Sequence, residues 1–584
     1  MKSLSYLNKY FFKYKWHMLL GVIFIILSNY FGVQMPMFVK NTVDNLFNNT
    51  KLKTASDFLY LMLKIGGFYM FLAFMKGLFL FLLRQSIIIM SRLIEYDLKN
   101  EIYNQYQRLD YSFFKKNNTG DLMNRISEDV SQVRMYLGPG VMYTLNLIAL
   151  FFLVISKMIA INGQLTLFVL IPLPIMSFLV YKVSSKMNKL SKEVQIEQSK
   201  MSTLIQEVFS GIRVVKAYSR EKEINSKFSV SANEYKKRNM KLVFVNAMFM
   251  PTITFLIGIS TVLSIYTGGL MTYNNTITLG DIIAFIMYIN ILTWPFASVG
   301  WVTSIIQRAS ASQERINDFL RQEPEIKNEN NLPFNFNGSI EFRNVSYTYP
   351  NSGIKAIHNL SFKVNPNETF AVVGKTGSGK STILNLIMRQ FDADQGEILI
   401  DNQTIKNINI HDFRKQTGVI PQDVFLFSDT IGNNIKFGSN AKNISNEELI
   451  SITKKAHIYH NIEQFKDKFE TLLGERGVNL SGGQKQRVSI ARALIRKPKL
   501  LIMDDCLSAV DTDTEEIILS NLKTDSELKT SVIVSHRISS LRNADKIIVI
   551  ENGEKIEEGS HFELMNLEGL YSEMYKKQLS EKKG

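Results

Sequence analysis

The residues with the clearest chemical purpose form the run Gly374-Lys375-Thr376-Gly377-Ser378-Gly379-Lys380-Ser381-Thr382, which follows the apolar stretch Phe370-Ala371-Val372-Val373 and opens a helical pattern. Glycines at this spacing let backbone N–H groups converge on the β- and γ-phosphates of a nucleotide. The helix N-terminus adds partial positive charge and Lys380 adds a full one. Ser381 is placed to ligate Mg²⁺. A second run, Leu500-Leu501-Ile502-Met503-Asp504, reads as a buried strand ending in a carboxylate. Beside a phosphate loop, such a carboxylate holds Mg²⁺ through water. Leu480-Ser481-Gly482-Gly483-Gln484 is another glycine turn, at the start of a helical pattern over 486–495. Its amides and helix dipole would suit a phosphate as well. One chain cannot easily offer two such cradles to one nucleotide, so the second is expected to serve a nucleotide held by another chain in a head-to-tail pair.

These loops need a sheet to hold them. From about Gly338 onward, strand-like runs at 369–373, 500–503, 531–534 and 546–550 alternate with helical runs such as 381–389 and 515–523. The alternation predicts an α/β domain with a largely parallel sheet over 338–576, followed by a tail at 577–584. Residues 321–337 are polar, broken by Pro324 and Pro333 and without periodicity, so they read as a linker.

The chain has 584 residues, 46% hydrophobic and 21% charged, which excludes disorder and a collagen-like fibre. Its one cysteine, Cys506, excludes an intrachain disulfide and cysteine-rich zinc sites. The net charge of +15 is uneven: residues 1–330 hold 36 basic and 21 acidic residues, whereas 331–584 hold 32 of each. In the first part the basic residues sit between long apolar runs rather than in an aromatic-interleaved groove, which points to membrane rather than nucleic acid. A hydrocarbon core of about 30 Å calls for about 20 apolar residues per helix. Six stretches fit, near 16–39, 58–83, 138–159, 164–183, 242–270 and 279–306. They predict an all-α six-helix transmembrane domain over 1–320. The first is too long and too polar, with Ser28, Asn29 and Gln34, for a cleaved signal peptide. Lysine and arginine crowd the N-terminus and the segments 84–137 and 184–241, while the turns near 160 and 275 carry one or none. The N-terminus, both long loops and the C-terminal domain are therefore expected in the cytoplasm. The long loops read as helical arms, with breaks at 117–120 and 210–211.

Taken together, these features resemble a half-transporter of the ATP-binding cassette exporter family, six helices followed by one nucleotide-binding domain, over essentially the whole chain. The resemblance implies ATP and Mg²⁺ as cofactors, a second half-transporter as partner and a multi-pass place in the cytoplasmic membrane. Within it, Tyr349, in Val345-Ser346-Tyr347-Thr348-Tyr349-Pro350, matches the aromatic that stacks on adenine. Gln422, in Val419-Ile420-Pro421-Gln422-Asp423, matches the glutamine that reaches Mg²⁺ and the attacking water, and His536 matches the switch histidine that contacts the γ-phosphate. The stretch from Leu480 to Gln484 is the signature presented across the dimer, and Ser508-Ala509-Val510-Asp511 matches the D-loop. Leu473-Gly474-Glu475-Arg476-Gly477 resembles the exporter-type loop that touches the membrane domain. Segments 113–125 and 211–218 resemble two intracellular loops, with short coupling helices expected around 111–116 and 215–220.

One position departs from the family pattern. Where a glutamate normally follows the strand's terminal aspartate and orients the attacking water, this chain has Asp505. Aspartate sets its carboxylate back by about 1.5 Å, and misplacement by about 1 Å can cost about 10²-fold in rate. Slow hydrolysis at the chain's own loop is expected, with an intact signature completing the partner's site, as in the degenerate-site subunit of a heterodimeric exporter. A slow homodimer remains open. So do import of a hydrophobic substrate on the same fold and a nucleotide-binding regulatory subunit. The default substrate is a drug- or lipid-like amphiphile. Lys76 and Lys157 are candidate intramembrane charges. Met248, Phe249 and Met250 are candidates for an adaptable cavity wall, and Pro172, Pro174 and Pro251 for helix kinks.

Overall fold

The computed structural model describes residues 2–48, 55–328, 330, 332–350, 352–441, 443–474, 477–508, 510–523 and 528–581. They divide into two compact units. One comprises residues 1–107 and 119–322, and the other residues 108–118 and 323–584.

Among the described residues, six helical stretches are long and apolar enough to cross a membrane, all within the first unit but for the terminal Arg108: Lys15–Leu46, Leu59–Arg108, Thr119–Ile161, Gly163–Ser210, Glu221–Tyr273 and Leu279–Leu320. All six expected spans are present, each continued well beyond the apolar run. Pro172 opens the helix Pro172–Ser210, where its missing N–H is harmless, and separates it at Ile171 from the helix Gly163–Leu170. Pro251 lies inside the uninterrupted helix Glu221–Tyr273. Several polar groups among the apolar stretches find partners, whereas the buried hydroxyls of Ser260 and Ser264 have none among the described residues. Asn29 donates to Asn146 at 2.9 Å, Tyr288 donates to the Val33 carbonyl at 3.0 Å, and Lys40 pairs with Asp281 at 2.6 Å. The stem of Lys76 lies against Gly32, where a Cβ would come within 3.3 Å of its Cε. Phe249 packs against the unit's core, whereas Met248 and Met250 are exposed.

The second unit is built on a six-stranded sheet of order β10-β9-β3-β8-β7-β6. Its strands are β3 (Thr369–Val373), β6 (Thr417–Ile420), β7 (Leu500–Asp504), β8 (Thr530–Val534), β9 (Lys546–Glu551) and β10 (Glu554–Gly559). All its pairings are parallel except β10 on β9. Side chains alternate between two cores. Ala371, Val373, Leu501, Met503 and Ile533 fill one, and Phe370, Val372, Leu500, Ile502 and Val532 fill the other. Coverage of both faces explains why these strands read as unbroken apolar runs. The sequence reading missed a second, antiparallel sheet of order β2-β1-β4-β5, formed by β1 (Ile340–Thr348), β2 (Lys355–Val364), β4 (Gln395–Ile400) and β5 (Gln403–Thr404).

The later part of the stretch read as a linker is tied to this unit. Phe336 is fully buried with its ring 5.6 Å from that of Phe413, and Gln416 donates to the Phe334 carbonyl while accepting from the Phe336 N–H. Of the stretch read as a tail, residues 577–581 continue the final helix, Leu570–Glu581, and 582–584 lie outside the described residues.

The breaks expected at 117–120 and 210–211 are present, and each is followed or preceded by a short helix. The first, Tyr111–Lys116, coincides with the expected coupling helix. The second spans Ile212–Ala217, three residues earlier than expected. It starts directly after Gly211 and is closed by Ser219, whose φ of 51° cannot continue a helix.

Candidate active site

The phosphate loop joins β3 to the helix Lys380–Ile387. Two features make its glycines obligatory. Gly379 sits at φ +102°, and a Cβ there would come within 2.4 Å of the Ala356 carbonyl oxygen. At Gly374 a Cβ would come within 2.2 Å of the Ile550 oxygen. Within this tight turn the Lys380 ammonium donates to the carbonyls of Gly374 and Lys375, at 2.8 Å each. Burial draws its pKa below the usual lysine range, while the charges of Asp505 and Asp504 pull the other way. The Ser378 hydroxyl is buried in the same turn with no hydrogen-bond partner. A desolvated cation held by neutral carbonyls, together with an unsatisfied hydroxyl, fits an anionic phosphate.

Opposite the loop, Asp504 ends β7 and accepts a hydrogen bond from Ser381 Oγ at 3.0 Å. Burial pushes its carboxyl upward. The Ser381 hydrogen bond opposes that shift and the Asp505 charge adds to it. A hydroxyl and a carboxylate oxygen side by side, in a pocket that penalises unbalanced charge, suit a small divalent cation that keeps most of its waters. Asp505 follows at φ +44°, with its N–H donating to the Val534 carbonyl at 2.8 Å. Its two carboxylate oxygens lie 2.7 and 2.8 Å from His536 Nδ1.

These groups share one groove of about 650 Å³, whose wall includes Tyr349, Thr376, Gly377, Lys380, Gln422, Asp504, Asp505 and His536. The Tyr349 hydroxyl bonds Thr382 Oγ1 at 3.0 Å. Lys115, from the helix Tyr111–Lys116, places its ammonium 4.3 Å from the centre of the Tyr349 ring. That helix is capped by Asp110, which also accepts hydrogen bonds from the Glu325 and Ile326 N–H groups. Burial pushes the Asp110 carboxyl upward, but the Ser112 hydroxyl and the N–H groups of Ile326, Phe113 and Glu325 outweigh it and hold it below the usual carboxylate range.

The second cradle stands apart. Ser481 caps the helix Gly482–Leu494 and forms a reciprocal capping box with Gln484, and neither they nor Gly482 and Gly483 line the groove. Of the loops expected around the site, Ala509, Glu475 and Arg476 lie outside the described residues. The site also has a partner that the sequence reading did not single out. Arg537 donates to the Ser508 and Val510 carbonyls, at 2.6 and 3.3 Å, joining the histidine's segment to the 508–511 loop.

The ABC transporter transmembrane region matches residues 18–296, and the ABC transporter cassette matches residues 357–508. The chain is 32% identical to the probable multidrug resistance ABC transporter ATP-binding/permease protein YheI of Bacillus subtilis, covering 97% of this chain and 96% of that protein. It belongs to the ABC transporter family. It is also 37% identical to the multidrug resistance-like ATP-binding protein MdlA of Buchnera aphidicola, over 82% of each chain. Its fold matches a bacterial Atm1-family ABC exporter solved with ATP bound, with a TM-score of 0.79 and 25% identity, covering 96% of this chain and 99% of that one. An ABC exporter with one membrane domain and one fused cassette is a half-transporter, and a second half completes it. Its cassette is an ATPase coupled to transport.

Proposed function

We propose that this half-transporter drives efflux of a hydrophobic or amphiphilic, drug- or lipid-like substrate across the cytoplasmic membrane by alternating access. We propose further that it pairs with a half that retains the catalytic glutamate. The multidrug names of its relatives support the substrate class, and the lysine and arginine bias of its loops supports a cytoplasmic cassette. The observation that carries the reading is the groove. Tyr349, Thr376, Gly377 and residues 379–382 of the phosphate loop, Gln422, Asp504, Asp505 and His536 share it, whereas the stretch from Ser481 to Gln484 stands outside and is left to serve a second chain.

In this reading Tyr349 stacks on adenine. Backbone N–H groups between Gly374 and Thr382 and the Lys380 ammonium bind the phosphates. Ser381, Gln422 and Asp504 hold Mg²⁺, which when bound offsets phosphate charge. His536 reaches the γ-phosphate, and Asp505 orients water from one methylene further back than glutamate would. Both carboxylate oxygens of Asp505 lie against His536 Nδ1, so the short side chain is spent on its own switch histidine. That supports a slow site in this chain and a working one in the partner.

ATPase activity in lipid, alone and after co-expression with a glutamate-bearing half, tests the proposal. A large gain on pairing, abolished by changing the partner's glutamate and only reduced by Asp505→Asn, is expected. Full activity of the chain alone, abolished by Asp505→Asn, would replace the heterodimer with a homodimer.

A further inference from the structure

His536 is carried by a short peptide stretch between β8 and the helix Ile538–Leu541. One side chain brackets that stretch from outside the groove. Gln578 donates from Nε2 to the His536 carbonyl at 2.6 Å, and its Oε1 accepts from the Ile538 N–H at 2.9 Å. We infer that Gln578, in the final helix Leu570–Glu581, is a positioning residue that sets where the His536 imidazole stands in the nucleotide groove.

The helix that carries Gln578 is firmly seated. The Leu570 and Tyr571 N–H groups donate to Glu557 at 2.5 and 3.2 Å. Tyr571 is fully buried, with its hydroxyl 2.8 Å from His561 Nδ1. The same helix also faces the phosphate loop. Lys375 is bonded to Glu551 at 2.9 Å, and Glu573 adds to the negative field that holds the Lys375 pKa up. On its other side, the histidine's segment is fastened by Arg537 to the 508–511 loop. The segment is therefore held between two anchors, and Gln578 supplies the one on the C-terminal side.

The chemistry of the bracket is specific. A carboxamide can donate to one backbone carbonyl and accept from a nearby N–H with the same planar group, and it does so at any pH. Leucine would supply neither bond. Ionised glutamate would keep the Ile538 bond and set an oxygen against the His536 carbonyl. Because the imidazole hangs from the bracketed peptide, a small rotation of that peptide moves the ring away from a γ-phosphate. It would leave the β-phosphate contacts of the 374–382 loop untouched. The signature of positioning is thus a loss confined to triphosphate.

This inference rests on the proposed role of His536, and the test separates the two. Full-length chain in lipid nanodiscs is titrated with MgAMP-PNP and with MgADP by displacement of a fluorescent nucleotide. The variants are Gln578→Leu, Gln578→Glu, His536→Ala and Gln578→Leu combined with His536→Ala. Thermal unfolding midpoints report whether each variant is folded. Gln578→Leu is expected to weaken AMP-PNP about tenfold, the scale of one lost charge-assisted hydrogen bond, with ADP affinity unchanged. Gln578→Glu is expected to show the same selectivity to a smaller degree, and the double variant to be no weaker than His536→Ala. Equal loss of both nucleotides, or no loss, in Gln578→Leu while His536→Ala loses AMP-PNP selectively would overturn the inference alone. Wild-type AMP-PNP affinity in His536→Ala would overturn the reading of His536 and the inference with it.

Discussion

Both carboxylate oxygens of Asp505 lie within 2.8 Å of the same nitrogen, Nδ1 of His536, so the two side chains form one closed pair in the nucleotide groove. Aspartate reaches the ring from its place just after β7. In the proposed reading, an added methylene would restore the reach of the family's glutamate toward the attacking water. Asp505→Glu is therefore expected to raise ATP turnover at this chain's own site by about 10- to 100-fold. Phosphate release in lipid, with the partner's glutamate changed to glutamine to silence its site, measures this. An unchanged or lower rate would show that aspartate is the working length here.

Ser481 both caps a helix and leads the glycine turn proposed to serve a second chain. Ser481→Ala should lower stability by about 1 kcal/mol through the lost cap. It should also depress ATP turnover of the assembled pair while leaving nucleotide affinity in this chain's groove unaltered. Thermal unfolding, phosphate release and nucleotide binding read the three effects separately. Weaker binding in the chain's own groove would place the turn in that groove after all.

The pH dependence of the Asp110 cap follows from its direction of shift. Because the folded carboxyl titrates below its unfolded value, its stabilisation is complete above the ordinary carboxylate range. It is lost as pH falls through the lower, folded value. Hydrogen exchange at the Phe113, Glu325 and Ile326 amides, corrected for intrinsic rate, should therefore accelerate only in strong acid. In Asp110→Asn the same amides should exchange faster at neutral pH and respond little to acid. Equal acid sensitivity in the two proteins would assign the transition to other groups.

Phe336 lies in a stretch whose polar composition gives no hint of core residues, yet its ring is fully buried. Phe336→Ala should cost about 3–5 kcal/mol, the range for deleting a buried phenyl group. Denaturant unfolding of the full chain monitored in the cassette measures this. A loss under 1 kcal/mol would mean that the ring's pocket collapses freely or that the stretch detaches at little cost.

The contrast between Phe336 and the phosphate loop shows what the sequence could and could not reveal. The loop was legible because its chemistry is local. Glycine spacing, Lys380 and Ser381 are adjacent in the chain, and the strand before them, Thr369–Val373, has the expected bounds. Six spans were legible for the same reason, since each apolar run signals itself. The antiparallel sheet was not, because the register of β1 against β2 shifts at Val345, Tyr347 and Thr348, which erases the alternation that marks a strand. Gln578 left no signal either. It sits in a polar, lysine-rich stretch that reads as a tail, and its value comes entirely from two backbone groups forty residues away in the chain. The short helix after Gly211 lies three residues earlier than its sequence suggests because its end is fixed by the left-handed turn at Ser219, a conformation that serine does not announce.

The grouping of residues 108–118 with the cassette has a consequence for how such proteins can be recombined. Tyr111 packs 5.8 Å from Phe391, Lys115 covers Tyr349, and Ser112 and Lys116 both bond Glu325. A cassette cut from the chain at residue 323 would carry away one side of each of these contacts and leave the other behind. A chimera that grafts this cassette onto a foreign membrane domain must bring the eleven residues from Arg108 to Asn118 with it, or redesign the aromatic face they cover. The inheritable module is thus discontinuous in sequence, its smaller piece encoded more than two hundred residues upstream of its larger one.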